Sequence, residues 1–171
     1  MKKMSLIIIV LFTMNSIAFS QVYNHNNTLA NVGIGFGSTL TGDGLIPPIS
    51  LSAEMGYNEN ISVGGYFAYA STEEKFSSFT YSYNHLILGA RGSYHFYNED
   101  NLNAYGGLML GYNIVSSSIE GDSDIGSSAD AGGFTYSFYL GSRYMFSDSI
   151  GAFAELGYGI SYVNLGLTLK M

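Results

Sequence analysis

The chain has 171 residues, with six Lys and Arg against thirteen Asp and Glu, three His, no Cys and a formal net charge of −7. Such an acidic chain lacks the basic surface that nucleic acids require, and without cysteine it forms no disulfide and no thiolate metal site. Charged residues make up only 11% of the chain, against the roughly 25% usual in soluble domains, which argues against a soluble protein.

The first twenty residues have the features of a secretory signal peptide. Two lysines precede an apolar run, Leu6–Phe12, which is too short to cross a bilayer as a helix. Ala18-Phe19-Ser20 then supplies a small-x-small cleavage signal. We therefore expect residues 1–20 to be a signal peptide and residues 21–171 to form one exported domain.

Eight segments of this domain alternate between apolar side chains and small or polar ones, with the period of two that a β-strand imposes. In chain order they are Asn31–Ser38, Ile49–Tyr57, Ile61–Ala70, His85–Tyr97, Asn103–Ile114, Phe134–Phe146, Ile150–Ile160 and Val163–Met171. The pattern is strongest in the fourth and fifth segments. The polar turn between them predicts a hairpin.

The connections between these strands alternate between long and short. Three short turns follow aromatic residues, and three longer segments, Thr39–Pro48, Ser71–Ser82 and Val115–Gly132, are predicted to be loops. Pro47-Pro48 supports the first of these loops, because proline cannot donate to a strand ladder. Short turns on the side of both termini, with longer loops on the other side, are typical of outer-membrane barrels.

The two faces of the predicted strands indicate which of them meets lipid. One face is aliphatic and aromatic, and the other is mostly Gly, Ser, Ala and Asn. A soluble barrel would need abundant charges on its outer face, so the apolar face must meet lipid. The sequence predicts an all-β fold: an eight-stranded, antiparallel, up-and-down transmembrane β-barrel. We expect a monomer in a Gram-negative outer membrane, surrounded by lipid and lipopolysaccharide.

Four charged residues lie within the strand bodies and point inward by alternation: Glu54, Arg91, Arg143 and Glu155. Each is a few residues above a short turn, so the four are predicted to share one layer of the lumen. Arg143 and Glu155 are on neighbouring strands and are expected to be opposite or diagonal to each other. The preferred interpretation is a structural plug of ion pairs, and the alternative is a gate that opens when the pairs exchange.

Catalytic and metal sites are not predicted. His85 is near the outer end of its strand, close in sequence to Ser82, Glu73 and Glu74, but one sequence does not establish a nucleophile and base in contact. The acidic segment Asp122–Asp130 resembles a calcium loop and lacks the Gly and Glu that such a loop needs at its sixth and twelfth positions. We expect no enzyme activity, no metal and no cofactor.

The C-terminus resembles the assembly signal of outer-membrane barrels, with Asn164, Gly166, Leu169 and Met171 at its polar, glycine and two apolar positions. Met171 stands where the usual last residue is Phe. With Leu88–Phe96 and Gly157–Tyr162, the chain resembles the small outer-membrane β-barrel family of OmpX, the OmpA membrane domain and the opacity proteins. Gln21 at the mature N-terminus resembles Bacteroidetes members. This resemblance implies recognition by the barrel-assembly machinery through the four C-terminal residues.

The predicted role is non-enzymatic. The resemblance to opacity proteins favours an adhesin-like surface protein that binds a host or surface ligand through residues 71–82 and 115–132. Two alternatives remain open: a narrow porin or lateral conduit for small apolar solutes, and a lipid-modifying enzyme that uses His85.

Overall fold

The computed structural model describes residues 21–40, 43–76, 79–120 and 129–171. The strands are β1 (Thr28–Phe36), β2 (Asp43–Gly56), β3 (Ile61–Phe76), β4 (Phe79–Glu99), β5 (Leu102–Glu120), β6 (Ala129–Met145), β7 (Ile150–Tyr158) and β8 (Val163–Lys170). Each pairs antiparallel with the next, and β1 pairs with β8 to close the barrel. The predicted eight-stranded barrel is confirmed. The expected signal peptide lies outside the described residues.

Among the described residues, no helix is long and apolar enough to cross a membrane.

Two of the predicted loops are largely strand, which corrects the sequence interpretation. Ser71–Phe76 continues β3 and pairs with β4, where Ser71 lies opposite Asn84. The ends of the predicted loop 115–132 likewise extend β5 and β6, with Val115 opposite Ala131. These stretches are rich in Ser and in acidic residues and carry no apolar alternation. Cross-strand pairs between such residues stabilise the extended strands without an alternating apolar face.

Pro47-Pro48 also lies within a strand, because β2 begins at Asp43 rather than after the prolines. The pairing of β2 with β3 shifts register between Gly44 and Ile46, and again between Ile46 and Ile49. The prolines fall in the second shift. An irregular step of this kind is where a strand tolerates residues that have no N–H to donate.

The outer surface of the barrel is apolar. Leu108 and Leu140 in mid-strand are 62% and 64% exposed, which would be unfavourable in water over so continuous a surface. Exposed aromatic side chains form two groups. Tyr57, Tyr94, Phe96, Tyr144 and Phe146 are near the short turns, and Phe36, Tyr112, Phe134, Tyr136, Phe138, Tyr158 and Tyr162 are toward the other end. An aliphatic belt between two aromatic girdles is the surface of a barrel that spans a bilayer.

Side chains fill the interior of the barrel. A cluster of apolar and aromatic side chains packs against the charged residues: Ala68, Ile87, Tyr105, Met109, Tyr139 and Ile160. Tyr105 and Tyr139 lie against the guanidinium groups of Arg143 and Arg91. A cavity of about 30 Å³ beside Arg91 and Glu155 has room for roughly two waters, at about 10–15 Å³ each. This agrees with eight strands enclosing a space that side chains can fill.

Candidate functional site

The four inward charges meet in the lumen. Glu54 on β2 lies opposite Gly64 on β3, and Gly64 lies opposite Arg91 on β4. Because Gly64 has no side chain, Glu54 and Arg91 reach each other across β3. Arg91 Nε is 2.9 Å from Glu54 Oε1, and Arg91 Nη2 is 2.8 Å from Glu155 Oε1. Arg91 therefore bridges the two carboxylates.

Arg143 completes the layer, but its ion-pair partner is not Glu155, the residue that the strand pattern placed beside it. Its Nη2 is 3.2 Å from Glu54 Oε1, on the far side of the lumen. Arg143 lies opposite Phe153 in the ladder and diagonal to Glu155, whose strand position is opposite Gly141. Its ion pair is nevertheless with Glu54. The strand register determines that Arg143 is diagonal to Glu155. The length of the arginine side chain allows it to cross the lumen and pair with Glu54.

Aromatic rings and hydroxyl groups satisfy the rest of the layer. Tyr105 donates a hydrogen bond of 2.8 Å to Glu155 Oε1, and its ring lies 3.9 Å beneath the guanidinium of Arg143. Ser62 and Ser93 donate to Glu54 Oε2 at 2.7 and 2.6 Å. Two negative and two positive groups thus neutralise each other in the buried lumen, where an unpaired charge would be strongly destabilising.

His95 joins this network, although nothing in the sequence pattern indicates a role for it. Its Nε2 is 2.9 Å from Ser62 Oγ, and its Nδ1 is 3.0 Å from Asn103 Oδ1. A Ser–His–Asn arrangement of this kind can activate a hydroxyl group for attack on an ester. Ser62 is 0% exposed and is already hydrogen-bonded to Glu54. Because no substrate can reach it, the arrangement supports a structural role.

The segment before β1 closes the lumen at the end of the short turns. Tyr23 is 1% exposed, and its ring stacks on His95 with 3.8 Å between the centroids. Its hydroxyl donates to the carbonyl oxygens of Asn58 and Ile61 at 2.6 and 2.5 Å. Asn98 holds the Tyr23 backbone by accepting from its N–H and donating to its carbonyl. Residues 21–27, the N-terminal strap, are therefore seated in the barrel mouth. The alternation of side chains along the strands does not predict this position of the strap.

His85 lies inside the outer half of the lumen. It is buried, and Asn113 Nδ2 is 3.2 Å from its Nδ1. Two of the residues proposed to accompany it in the enzyme alternative, Ser82 and Glu73, lie opposite each other in the ladder of β3 and β4, whereas His85 lies opposite Ala70. Across the described residues, no three His, Asp or Glu side chains lie together in a way that could hold a metal ion.

The outer end of the barrel is uneven in height. β4 and β5 have 21 and 19 residues, and β3 and β6 have 16 and 17, whereas β1, β7 and β8 have only nine, nine and eight. A transmembrane strand needs about 9–11 residues. The four long strands therefore continue beyond the membrane as one sheet, the outer wall. The described pairing of β6 with β7 ends at Phe138 and Tyr158. Above Phe138, the edge of β6 therefore does not pair with β7.

Comparisons with known proteins agree on the fold. None of the family models matches the sequence, and the comparison with curated proteins gives no match. Among solved structures, the chain is similar to Neisserial surface protein A, at 15% identity and a TM-score of 0.57, covering 85% of this chain and 94% of that one. It is also similar to the N-terminal β-barrel domain of Pseudomonas aeruginosa OprF, at 14% identity and a TM-score of 0.55, covering 87% and 100%.

A third similar structure is Ail, the attachment invasion locus protein of Yersinia pestis, at 14% identity and a TM-score of 0.50, covering 86% of this chain and 96% of that one. At such identities the likeness concerns the fold. Together with the apolar belt and its two aromatic girdles, it leads to one conclusion. The chain is a small outer-membrane protein with the eight-stranded β-barrel fold of these bacterial surface and outer-membrane proteins.

Proposed function

We propose that the protein is a non-enzymatic surface-interaction barrel, which binds a partner macromolecule through its outer wall. The observation that carries this proposal is the height of β3–β6, which exceeds what a membrane crossing requires. Long paired strands outside the bilayer have no use in anchoring the barrel. They do present a large, ordered surface, and function in barrels of this kind resides in what the outer ends display.

The chemistry of the outer wall suits recognition of another protein or of a polar surface. Ser82, Tyr83 and Asn84 contribute hydroxyl, aromatic and amide groups, and Asn84 accepts a 2.9 Å hydrogen bond from Tyr69 just below the wall. Tyr, Ser and Asn are the residue types on which antibody combining sites rely, because they give contact area and adaptable hydrogen bonds at low entropic cost. The likeness in fold to Ail, named as an attachment invasion locus protein, fits such a role.

The unpaired upper edge of β6 adds a specific mode of binding. Gly132 to Thr135 hydrogen-bond to β5 on one side, and the described part of β7 does not extend far enough to pair with their other side. An exposed strand edge offers a row of free N–H and C=O groups that an extended partner segment can pair with. We therefore expect a partner that adds a strand to this edge.

The closed lumen argues against the porin alternative. The N-terminal strap, the charged layer and the cluster packed against it together block the lumen. A solute would have to displace all three in order to pass. The interior therefore serves to hold the barrel rigid while the outer wall does the binding.

Shortening the outer wall tests the proposal. Replacing residues 72–83 by an Asn-Gly turn should leave β3 and β4 paired at Ser71 and Asn84 and remove the top of the wall. Cells that display this variant should lose adhesion to host cells or matrix proteins, while heat-modified mobility on gels still reports a folded barrel. The matched control replaces the short turn 147–149 on the opposite side. Undiminished adhesion by the shortened barrel would refute the proposal.

We also propose that the C-terminal residues are read by the barrel-assembly machinery. Leu169 and Met171 point outward and are 43% and 69% exposed, while Asn164 faces the lumen and hydrogen-bonds to Ser50. Leu169 and Met171 give β8 an apolar outer side that a receptor strand can bind before the barrel closes, while Gly166 is on the lumen face with Asn164. Met171→Phe should speed assembly in cells, and an unchanged or slower rate would count against recognition at this residue.

A further inference from the structure

The hydrogen-bond ladder of the barrel is interrupted between β1 and β2. Their described pairing ends at Ile34 and Ile49. Beyond that point β1 continues to pair with β8 as far as Phe36, and β2 continues with β3. Pro47 and Pro48 occupy the position where β2 would otherwise return to β1, and neither can donate a hydrogen bond. The barrel wall therefore has a seam near its outer girdle.

A cavity of about 260 Å³ lies at this seam. It is lined by Gly35, Phe36, Gly37, Ser38, Leu40, Ile46, Pro47, Pro48, Ala70 and Thr72. One water needs only about 10–15 Å³, so the space suits a small organic group. Phe36 and Ile46 are exposed on the outer surface, whereas Pro48, Ala70 and Thr72 are buried on the inner side. The lining therefore joins the lipid-facing side of the wall to the lumen.

The lining combines an apolar body with one unpaired polar atom. Thr72 is 4% exposed, and its Oγ1 is buried without a hydrogen-bond partner among the described residues. An unpaired buried hydroxyl group is unfavourable, so this atom indicates a ligand with a matching oxygen. None of the described residues that line the cavity has a charged side chain. Because a carboxylate would enter without a counter-charge, the matching group must be uncharged.

We propose that the seam binds an aliphatic chain that carries an uncharged oxygen group, a hydroxyl or an ester, with the oxygen at Thr72. The chain would pass between Pro47 and Ala70 and leave the wall beside Phe36. Phe36 belongs to the outer aromatic girdle, which lies at the boundary between lipid tails and headgroups. Both a free long-chain alcohol and a membrane lipid with an ester-linked chain have this chemistry.

Tryptophan fluorescence tests the proposal directly, because the chain contains no Trp. Phe36→Trp places a single reporter at the seam, and Phe138→Trp places one in the same girdle on β6, away from the cavity. Both are refolded into phospholipid nanodiscs and titrated with a bromine-labelled long-chain alcohol, which quenches Trp on contact. We expect saturable quenching for Phe36→Trp and weak, linear quenching for Phe138→Trp. Indistinguishable linear quenching of the two would overturn the proposal.

Two further measurements identify the contact and the source of the ligand. Thr72→Val in the Phe36→Trp background keeps the shape of the side chain and removes its hydroxyl group, so it should weaken alcohol binding about fivefold. Unchanged affinity would remove Thr72 from the site and overturn the proposed orientation. In nanodiscs made with brominated acyl chains and no alcohol, preferential quenching of Phe36→Trp over Phe138→Trp would identify a lipid chain as the occupant. Equal quenching there, with saturable alcohol binding, would identify the free amphiphile.

Discussion

Two arginines and two serines contact the carboxylate of Glu54, whereas Glu155 is held by Arg91 and Tyr105. Replacing Glu54 by Gln would leave two buried guanidinium groups with one carboxylate between them. Replacing Glu155 by Gln would leave the ion pair of Arg91 with Glu54 intact. The two acids therefore differ in how much of the layer depends on them.

Glu54→Gln should accordingly destabilise the barrel more than Glu155→Gln does. Breaking a buried ion pair costs about 3–5 kcal/mol, and Glu54→Gln should approach that range. The measurement is guanidinium unfolding of the refolded barrel in detergent, with the exposed turn residue Glu59→Gln as the control. Equal midpoints for all three variants and the wild type would show that the layer contributes nothing to stability.

The N-terminal strap depends on one hydroxyl group. Burial raises the pKa of Tyr23 above its ordinary value, and the negative charge of Glu54 raises it further. The native state therefore holds the Tyr23 proton more tightly than the unfolded chain does. Docking of the strap should be constant below pH about 10, the ordinary tyrosine value, and should weaken as the pH rises beyond it.

A fluorophore on the single cysteine of Gln21→Cys would follow release of the strap, because the chain has no other cysteine. Tyr23→Phe keeps the ring on His95 and loses both carbonyl hydrogen bonds. Because the single hydroxyl proton is shared between the two carbonyl groups, the change should loosen the strap by roughly 1 kcal/mol and abolish the alkaline transition. An alkaline transition that persists in Tyr23→Phe would have to come from another group.

At the scale of elements, side-chain alternation predicted all eight strands within the bilayer, because lipid on one side and a packed lumen on the other impose different residues on the two faces. Beyond Ala70, the strand continues through four polar residues in succession, Ser71 to Glu74, and the alternation that marks a strand is lost. The ion pair of Arg143 with Glu54 was not predictable from the strand pattern either, because it depends on how far the arginine side chain extends across the lumen. Tyr23 lies outside any periodic segment, so its position in the barrel mouth against His95 was not predictable.

The extension of β3 and β4 above the bilayer can be measured through its hydrogen bonds. Amides of residues 71–76 and 82–84 should exchange with deuterium far more slowly than those of the turn 58–60, because the ladder pairs Ser71 with Asn84 and Glu73 with Ser82. Hydrogen exchange of the barrel in nanodiscs, resolved by residue, gives the rates. Exchange as fast as in the turn would restore the loop that the sequence predicted.

On the scale of the whole molecule, the lumen and the outer wall have separate tasks. The lumen holds a neutral layer of two acids and two arginines, together with the strap and the apolar cluster. None of these residues lies near the outer wall. Changes in the layer should therefore alter stability without altering adhesion, and changes in the wall should do the reverse.

Conductance distinguishes a rigid plug from a gate. If the layer is a plug, the refolded barrel should be silent in a planar bilayer, and Glu155→Gln should be silent too, because Arg91, Tyr105 and the strap still occupy the lumen. Removing residues 21–27 opens only one of three closures, so this variant should also stay silent. A steady current in the wild type that changes in Glu155→Gln would make the charged layer a gate. The barrel would then conduct, and its lumen would share the function that we assign to the outer wall.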